Sequence, residues 1–207
     1  GEVIVVDLRY EKHFDEELRA GADLFLVSVN WHYELDSVCE VIRALPAGTM
    51  TVVGGRFATE NIEDLFARCP NIDAIVRGDG EDTTRELVRT GSPANVAGLT
   101  WRDGGRVVHN PDRPLTTISD TLYPNRKKRR YRYRISYRNI GLGYSFDSLL
   151  SSQGCPFNCK FCSFKTNTLG QKRDWSARTP ESVMKELKEI DAKVVAFIDD
   201  NFFADIK

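Results

Sequence analysis

Long apolar runs are the first thing this chain lacks. No stretch approaches the roughly 18 consecutive apolar residues of a membrane span, and the N-terminus does not read as a signal peptide. Metal-binding residue types are scarce: five cysteines and three histidines among 207 residues. Net charge is also nearly absent, at −1, with 41% apolar and 29% charged residues, an ordinary balance for a globular protein. These absences argue against a helical membrane protein. Together with thiols in metal-ligand spacing, they lead to the expectation of a reducing cytoplasm.

The near-zero charge conceals an asymmetry. Residues 1–125 carry 12 basic and 21 acidic side chains, a balance of −9; residues 126–207 carry 17 and 9, a balance of +8. A change of that size predicts two domains meeting near residue 125.

Cysteine is rare but concentrated. Cys155, Cys159 and Cys162 fall within eight positions of Ser151-Ser152-Gln153-Gly154-Cys155-Pro156-Phe157-Asn158-Cys159-Lys160-Phe161-Cys162. Thiolates so close in sequence can converge on one metal centre. A structural zinc site takes four protein ligands, and no fourth is near, because His13, His32 and His109 all lie far upstream. Three thiolates on an iron–sulfur cluster leave one iron open to an outside ligand. An incomplete zinc knuckle or a disulfide loop is the alternative.

Upstream, the apolar pattern alternates between two periods. Val3-Ile4-Val5-Val6, Leu24-Phe25-Leu26-Val27-Ser28-Val29, Thr51-Val52-Val53 and Ala74-Ile75-Val76 read as short buried strands. Between them lie helical stretches. One runs from Glu11 to Ala20, with Phe14 and Leu18 on its apolar side. A second is capped by Asp36 or Ser37 and striped by Val38, Cys39, Ile42 and Leu45. A third carries Ile62, Leu65, Phe66 and Cys69, and a fourth runs through Leu87 and Val88. Cys39 and Cys69 sit on apolar stripes, where a buried inert thiol is the expected role. The rhythm predicts a parallel sheet with helices on both faces. In such sheets ligands bind beyond the carboxyl ends of the strands. Here those ends are Ser28, Asn30, Trp31 and His32; Gly54, Gly55 and Arg56; and Gly78, Gly80 and Glu81. The glycine pair permits close approach of a ligand to the backbone, although tight turns use such pairs too. Residues 98–110 read as a hairpin turning at Asp103-Gly104-Gly105, expected to pack at the domain edge. Further on, Thr179-Pro180-Glu181 opens a helix to about Ile190. Val194 to Ile198 then reads as a strand ending in Asp199-Asp200-Asn201.

The cysteine spacing, with Phe161 just before the last cysteine, resembles the radical S-adenosylmethionine (radical SAM) enzymes. The resemblance implies a [4Fe-4S] cluster on Cys155, Cys159 and Cys162, with Phe161 against the adenine of S-adenosylmethionine. It makes Ser148-Leu149-Leu150-Ser151 the first barrel strand. Asp199, Asp200 and Asn201 then stand where the family meets the cofactor's amino group, the alternative being a capping turn. The upstream sheet is similar to the cobalamin-binding domain that precedes the barrel in one large radical SAM class. Ser28 and Gly54-Gly55 match two parts of that domain's signature, whereas its Asp-x-His-x-x-Gly part is absent. His32 is at the edge where the corrin face would lie, so it is either a cobalt neighbour or a solvated loop residue. Trp31 and Tyr33 offer apolar surface to the ring. One strand fewer than the family's five implies a missing first strand.

The resemblance thus implies an α/β fold: a doubly wound, flavodoxin-like parallel sheet followed by the first part of a partial (β/α) barrel. The expected division is a cobalamin-binding-like domain over 1–113, a linker with a basic run over 114–143, and the start of the radical SAM domain over 144–207. The implied chemistry is methylation or oxidative cyclisation at an unactivated carbon, by a methylase or by an enzyme like the anaerobic magnesium-protoporphyrin monomethyl ester cyclase. The implied partners are a small-molecule substrate (lipid, tetrapyrrole or other natural product) and an electron donor such as flavodoxin or ferredoxin. A full barrel takes roughly 200 residues, so a chain stopping at Lys207 is not expected to turn over. The basic, tyrosine-rich run Arg126 to Arg134 keeps an RNA-modifying radical enzyme open as an alternative; equally open are packing of its stems on the acidic first domain and contact with an anionic substrate or cobalamin's phosphate tail. A cobalamin- or metal-binding sensor is a third reading.

Overall fold

The computed structural model describes residues 1–11, 21–120, 123–138, 140–162 and 166–203. The helix expected between Glu11 and Ala20 falls on 12–20, outside the described residues. The chain forms two compact units. One comprises Leu18–Thr116 with Thr166–Gln171; the other comprises Gly1–Glu17, Thr117–Lys165 and Lys172–Lys207.

In the first unit the expected strands form a sheet. Strands β1 (Leu24–Ser28), β2 (Met50–Gly54) and β3 (Ala74–Val76) lie side by side in that order and run parallel. Their side chains alternate between two cores, as strand geometry requires. Val27, Val53 and Ile75 face α1 (Leu35–Ala44), α2 (Arg56–Glu60) and α3 (Ile62–Arg68). Leu24, Val52, Ala74 and Val76 face the side covered by Leu87 of α4 (Glu81–Thr90). Ile42, Leu65, Ile72 and Ile75 are fully buried, each contributing about 1.5–3 kcal/mol relative to exposure. Cys39 and Cys69 belong to this core, as expected. Burial, reinforced by a hydrogen bond with Cys39, pushes the Cys69 thiol up to about 12, so at neutral pH it is not a nucleophile.

Several expectations are corrected. Val3–Val6 is not a strand: Val3, Ile4 and Val5 are 59%, 51% and 39% exposed. A strand needs a neighbour's N–H and C=O groups, and the Val3–Val6 segment, grouped with the other unit, joins no sheet among the described residues. The hairpin over 98–110 does not merely pack at an edge. Its arms, β4 (Leu99–Asp103) and β5 (Arg106–His109), extend the sheet antiparallel to β3, with Ile75 opposite Thr100. The free edge of β3 supplies the ladder that makes this favourable. Neither Asp36 nor Ser37 caps α1; a 3₁₀ turn over His32–Glu34 leads into it, and the Ser37 hydroxyl donates to Glu34 O at 2.9 Å. The helix expected through Ile62, Leu65 and Phe66 is α3, and a short helix the pattern does not show, α2, precedes it, the two separated at Asn61, whose side chain donates to Phe57 O at 3.0 Å.

The second unit is built on β7 (Ile140–Leu149), flanked by β6 (Arg134–Tyr137) antiparallel and β10 (Val194–Phe197) parallel. The strand expected at 148–151 is therefore the end of a longer one, and part of the basic run is itself a strand. Gly141 and Gly143 dilute the apolar signal of β7, which is why the sequence pattern does not show it. A small ladder joins β8 (Ser152–Gln153) and β9 (Ser176–Ala177). Helix α5 (Pro180–Glu189) connects to β10 and starts as its sequence predicts: Thr179 Oγ1 accepts from Ser182 N at 3.3 Å, with Pro180 in the first turn.

Glu186 of α5 is 1% exposed. Buried charges persist only when paired, and Glu186 meets Arg178 and, at 2.6 Å, Arg126. Asp147 of β7 takes Arg126 at 3.3 Å and Arg129. Arg178 Nη1 also donates to Leu150 O at 3.1 Å and Arg126 Nη2 to Ser148 O at 2.7 Å. The basic run thus fastens the strand that leads to the cysteines. No helix among the described residues is long and apolar enough to cross a membrane.

Candidate functional site

Parallel neighbours end on the same side of a sheet, and this places the sequels of β7 and β10 together. Ile198 N donates to Leu149 O at 3.0 Å, extending the pairing past the last strand residue. Beyond it, Asp199 accepts from Ser151 N at 2.7 Å, from Ser151 Oγ at 2.9 Å and from Ser152 N. Asp200 accepts from Gly154 N at 2.9 Å. The carbonyl of Asn201 accepts from Ser152 Oγ at 3.3 Å and Trp175 Nε1 at 3.1 Å, and its side-chain amide donates to Cys155 Sγ at 3.5 Å. Carboxylates accepting backbone N–H bonds form strong, charge-assisted contacts. Asp199, Asp200 and Asn201 therefore clamp the entry to the cysteine loop, a role closer to the capping alternative than to a free cofactor contact. Asp199 has both oxygens committed. The sequence signal for this clamp is the run of acceptors ending a strand parallel to the one that feeds the loop.

Gly154, just before Cys155, has φ +83°, and a Cβ there would lie 2.5 Å from Asp174 O. Downstream, Cys162 N donates to Cys159 O at 3.2 Å, closing a turn. Cys159 is exposed, Cys155 and Cys162 are half-buried, and all three are free thiols. Phe161 is 92% exposed. Among the described residues no group of three Cys, His, Asp or Glu side chains is arranged to hold a metal ion. The donor set suits an iron–sulfur cluster in kind and number, but these thiols do not already converge. Like-charged thiolates gather when a cation offsets their repulsion.

The second candidate region is the edge where β1, β2 and β3 end. Ser28 lies opposite Gly54 in the ladder. The Asn30 amide donates to Ser28 Oγ at 2.9 Å and its oxygen accepts from Arg56 N at 3.2 Å. Gly55 has an internal reason to be glycine, because a Cβ would meet Val29 O at 2.6 Å and Asn30 Oδ1 at 2.7 Å. Trp31 and Tyr33, 57% and 78% exposed, stack with ring centroids 6.4 Å apart. His32 is exposed and its ring meets Phe57 edge-on at 5.8 Å. After β3, Gly78 N donates to Thr59 Oγ1 at 3.1 Å, and Leu169 lies where a Gly78 Cβ would point. Gly80 and Glu81 form the start of α4.

No family model matches the chain. Individual proteins do. It is 32% identical to an uncharacterized methyltransferase from Pyrococcus horikoshii over 82% of this chain and 37% of that one. It is 27% identical to the anaerobic magnesium-protoporphyrin IX monomethyl ester cyclase of Cereibacter sphaeroides, over 76% of this chain and 26% of that one. Further curated relatives include a hopanoid C-3 methylase and a cobalamin-dependent radical SAM methyltransferase. In structure it matches the radical S-adenosylmethionine methyltransferase TsrM from Kitasatospora setae, solved with cobalamin and a [4Fe-4S] cluster bound. The TM-score is 0.61 at 19% identity, over 91% of this chain and 39% of that one, a likeness of fold. The chain therefore spans well under half the length of these relatives. The relatives it resembles are thus methyltransferases, one of them a cobalamin-dependent radical SAM enzyme, and anaerobic cyclases.

Proposed function

We propose that this chain carries the cobalamin-side sheet and the cluster loop of a radical SAM enzyme that methylates or oxidatively cyclises its substrate at an unactivated carbon. The observation that carries the reading is the loop of three free thiols leaving β7 and held from the end of β10 by Asp199, Asp200 and Asn201. On this reading Cys155, Cys159 and Cys162 ligate a [4Fe-4S] cluster, and Phe161 offers its exposed ring to the adenine of S-adenosylmethionine. Reductive cleavage of that sulfonium supplies a deoxyadenosyl radical. Asp199 fixes the loop instead of meeting the cofactor, with Asp200 and Asn201 beside it. Cobalamin is assigned to the edge holding Ser28, Asn30, Trp31, His32, Gly54, Gly55, Arg56, Gly78, Gly80 and Glu81. What supports this is the exposed Trp31–Tyr33 stack at a parallel-sheet edge, where α/β folds bind ligands. The substrate is a small molecule of lipid, tetrapyrrole or related type, and the electron donor is of flavodoxin or ferredoxin type in a reducing cytoplasm.

The test is anaerobic reconstitution of the full-length protein, with iron, sulfide and cobalt determined and 5′-deoxyadenosine assayed. The expected result is about four irons per chain, lost together with deoxyadenosine formation in Cys155→Ala. Retention of both by that variant overturns the cluster assignment.

A further inference from the structure

Cluster potentials respond to hydrogen bonds made to the ligating sulfurs. Among the three loop thiols, Cys155 has a side-chain donor aimed at its sulfur: Asn201 Nδ2, at 3.5 Å. This amide is not a loose surface group. Asn201 is half-buried, and its carbonyl is held by the Ser152 hydroxyl at 3.3 Å and the Trp175 indole at 3.1 Å. The residues before it are fixed by the bonds from Ser151, Ser152 and Gly154 to Asp199 and Asp200. Six donors thus hold residues 199–201, four through the Asp199 and Asp200 carboxylates and two through the Asn201 carbonyl, and the one side chain that returns a donor does so onto sulfur.

We propose that Asn201 is a positioning residue that tunes the redox potential of the cluster through its N–H···S bond to Cys155. The inference rests on the reading of Cys155 as a cluster ligand. An N–H donor stabilises the sulfur more as negative charge accumulates on it, so it favours the reduced state and raises the potential. Its backbone contacts, made by the carbonyl, survive side-chain replacement. The effect of substitution therefore falls on the sulfur and not on the loop's path.

The test uses the full-length protein reconstituted anaerobically as wild type, Cys155→Ala, Asn201→Leu (similar size, no donor) and Asn201→Gln (donor kept). Iron content, the EPR spectrum of the reduced cluster and its midpoint potential in a dye-mediated titration are measured without S-adenosylmethionine. The expected outcome is iron retention with a lowered midpoint and altered g-values in Asn201→Leu, and at least partial recovery in Asn201→Gln. An unchanged midpoint and spectrum in Asn201→Leu overturns the proposal. So does loss of iron from both Asn201 variants, which would make the residue a structural support. Iron retained by Cys155→Ala instead marks failure of the underlying ligand assignment.

Discussion

The tightest requirement in the cysteine loop is the absence of a side chain at Gly154. Its backbone lies at φ +83°, and a Cβ would press within 2.5 Å of Asp174 O and 2.9 Å of Asp174 C. Gly170 has a similar φ of +75° but nothing within 4 Å, so it serves as a control for conformational strain alone. Gly154→Ala is expected to cost about 1–3 kcal/mol from strain and more from the contact, while Gly170→Ala shows only the first. Urea unfolding of both variants, with iron uptake on reconstitution, checks this; equal losses would show that the Asp174 contact is relieved easily. At this scale the cysteines themselves were legible from spacing, and Cys39 and Cys69 from their apolar stripes. The clamp was only half legible. Asp199, Asp200 and Asn201 stand out as a polar run after a strand, but which groups they bind depends on β7 and β10 lying side by side, 48 residues apart.

At the scale of elements, the clearest signals were local ones. The short apolar runs of β1, β2 and β3 and the Thr-Pro-Glu start of α5 each signal their conformation locally. The Val3–Val6 run carries a similar local signal and still joins no sheet among the described residues, since strand formation rests on pairing and not on the local run alone. Its segment is anchored differently, through Asp7 and the tyrosine-rich run. Arg9 Nη2 pairs with Asp7 at 2.7 Å, Tyr133 donates to Asp7 at 2.7 Å, and Tyr10 stacks on Tyr131 with centroids 5.4 Å apart. The Arg9 hydrogen bond above all, helped by Tyr133 and outweighing partial burial, lowers the Asp7 carboxyl to about 2. A carboxylate depressed in the folded state contributes stability that is present above its unfolded value near 3.8 and is lost as pH falls through about 2. Asp7→Asn is therefore expected to be less stable than wild type at pH 7 and to converge with it between pH values of about 4 and 2. Denaturant midpoints against pH measure this, and a constant gap across that window would show that Asp7 is not the titrating group.

Over the whole molecule, the charge asymmetry of −9 and +8 invites a polyanion, and the structure gives another use for it. Arg126, Arg129, Arg130 and Arg132 pair with Asp147 and Glu186, Asp147, Glu11 and Asp191 respectively, each within their own unit. Counterion release requires cations free to meet phosphates. Filter binding of the protein to RNA is thus expected to be weak even at low salt. Tight binding that falls steeply with salt would revive the RNA-modifying alternative. The parallel pairing of β7 with β10 has one more consequence, in the order of biosynthesis. The three thiols leave the ribosome well before the carboxylates and amide that orient them, so a nascent chain presents them unshaped until residue 201 emerges. On the reading of these thiols as cluster ligands, an ordered loop is ready to take up a cluster only after that distant strand has arrived.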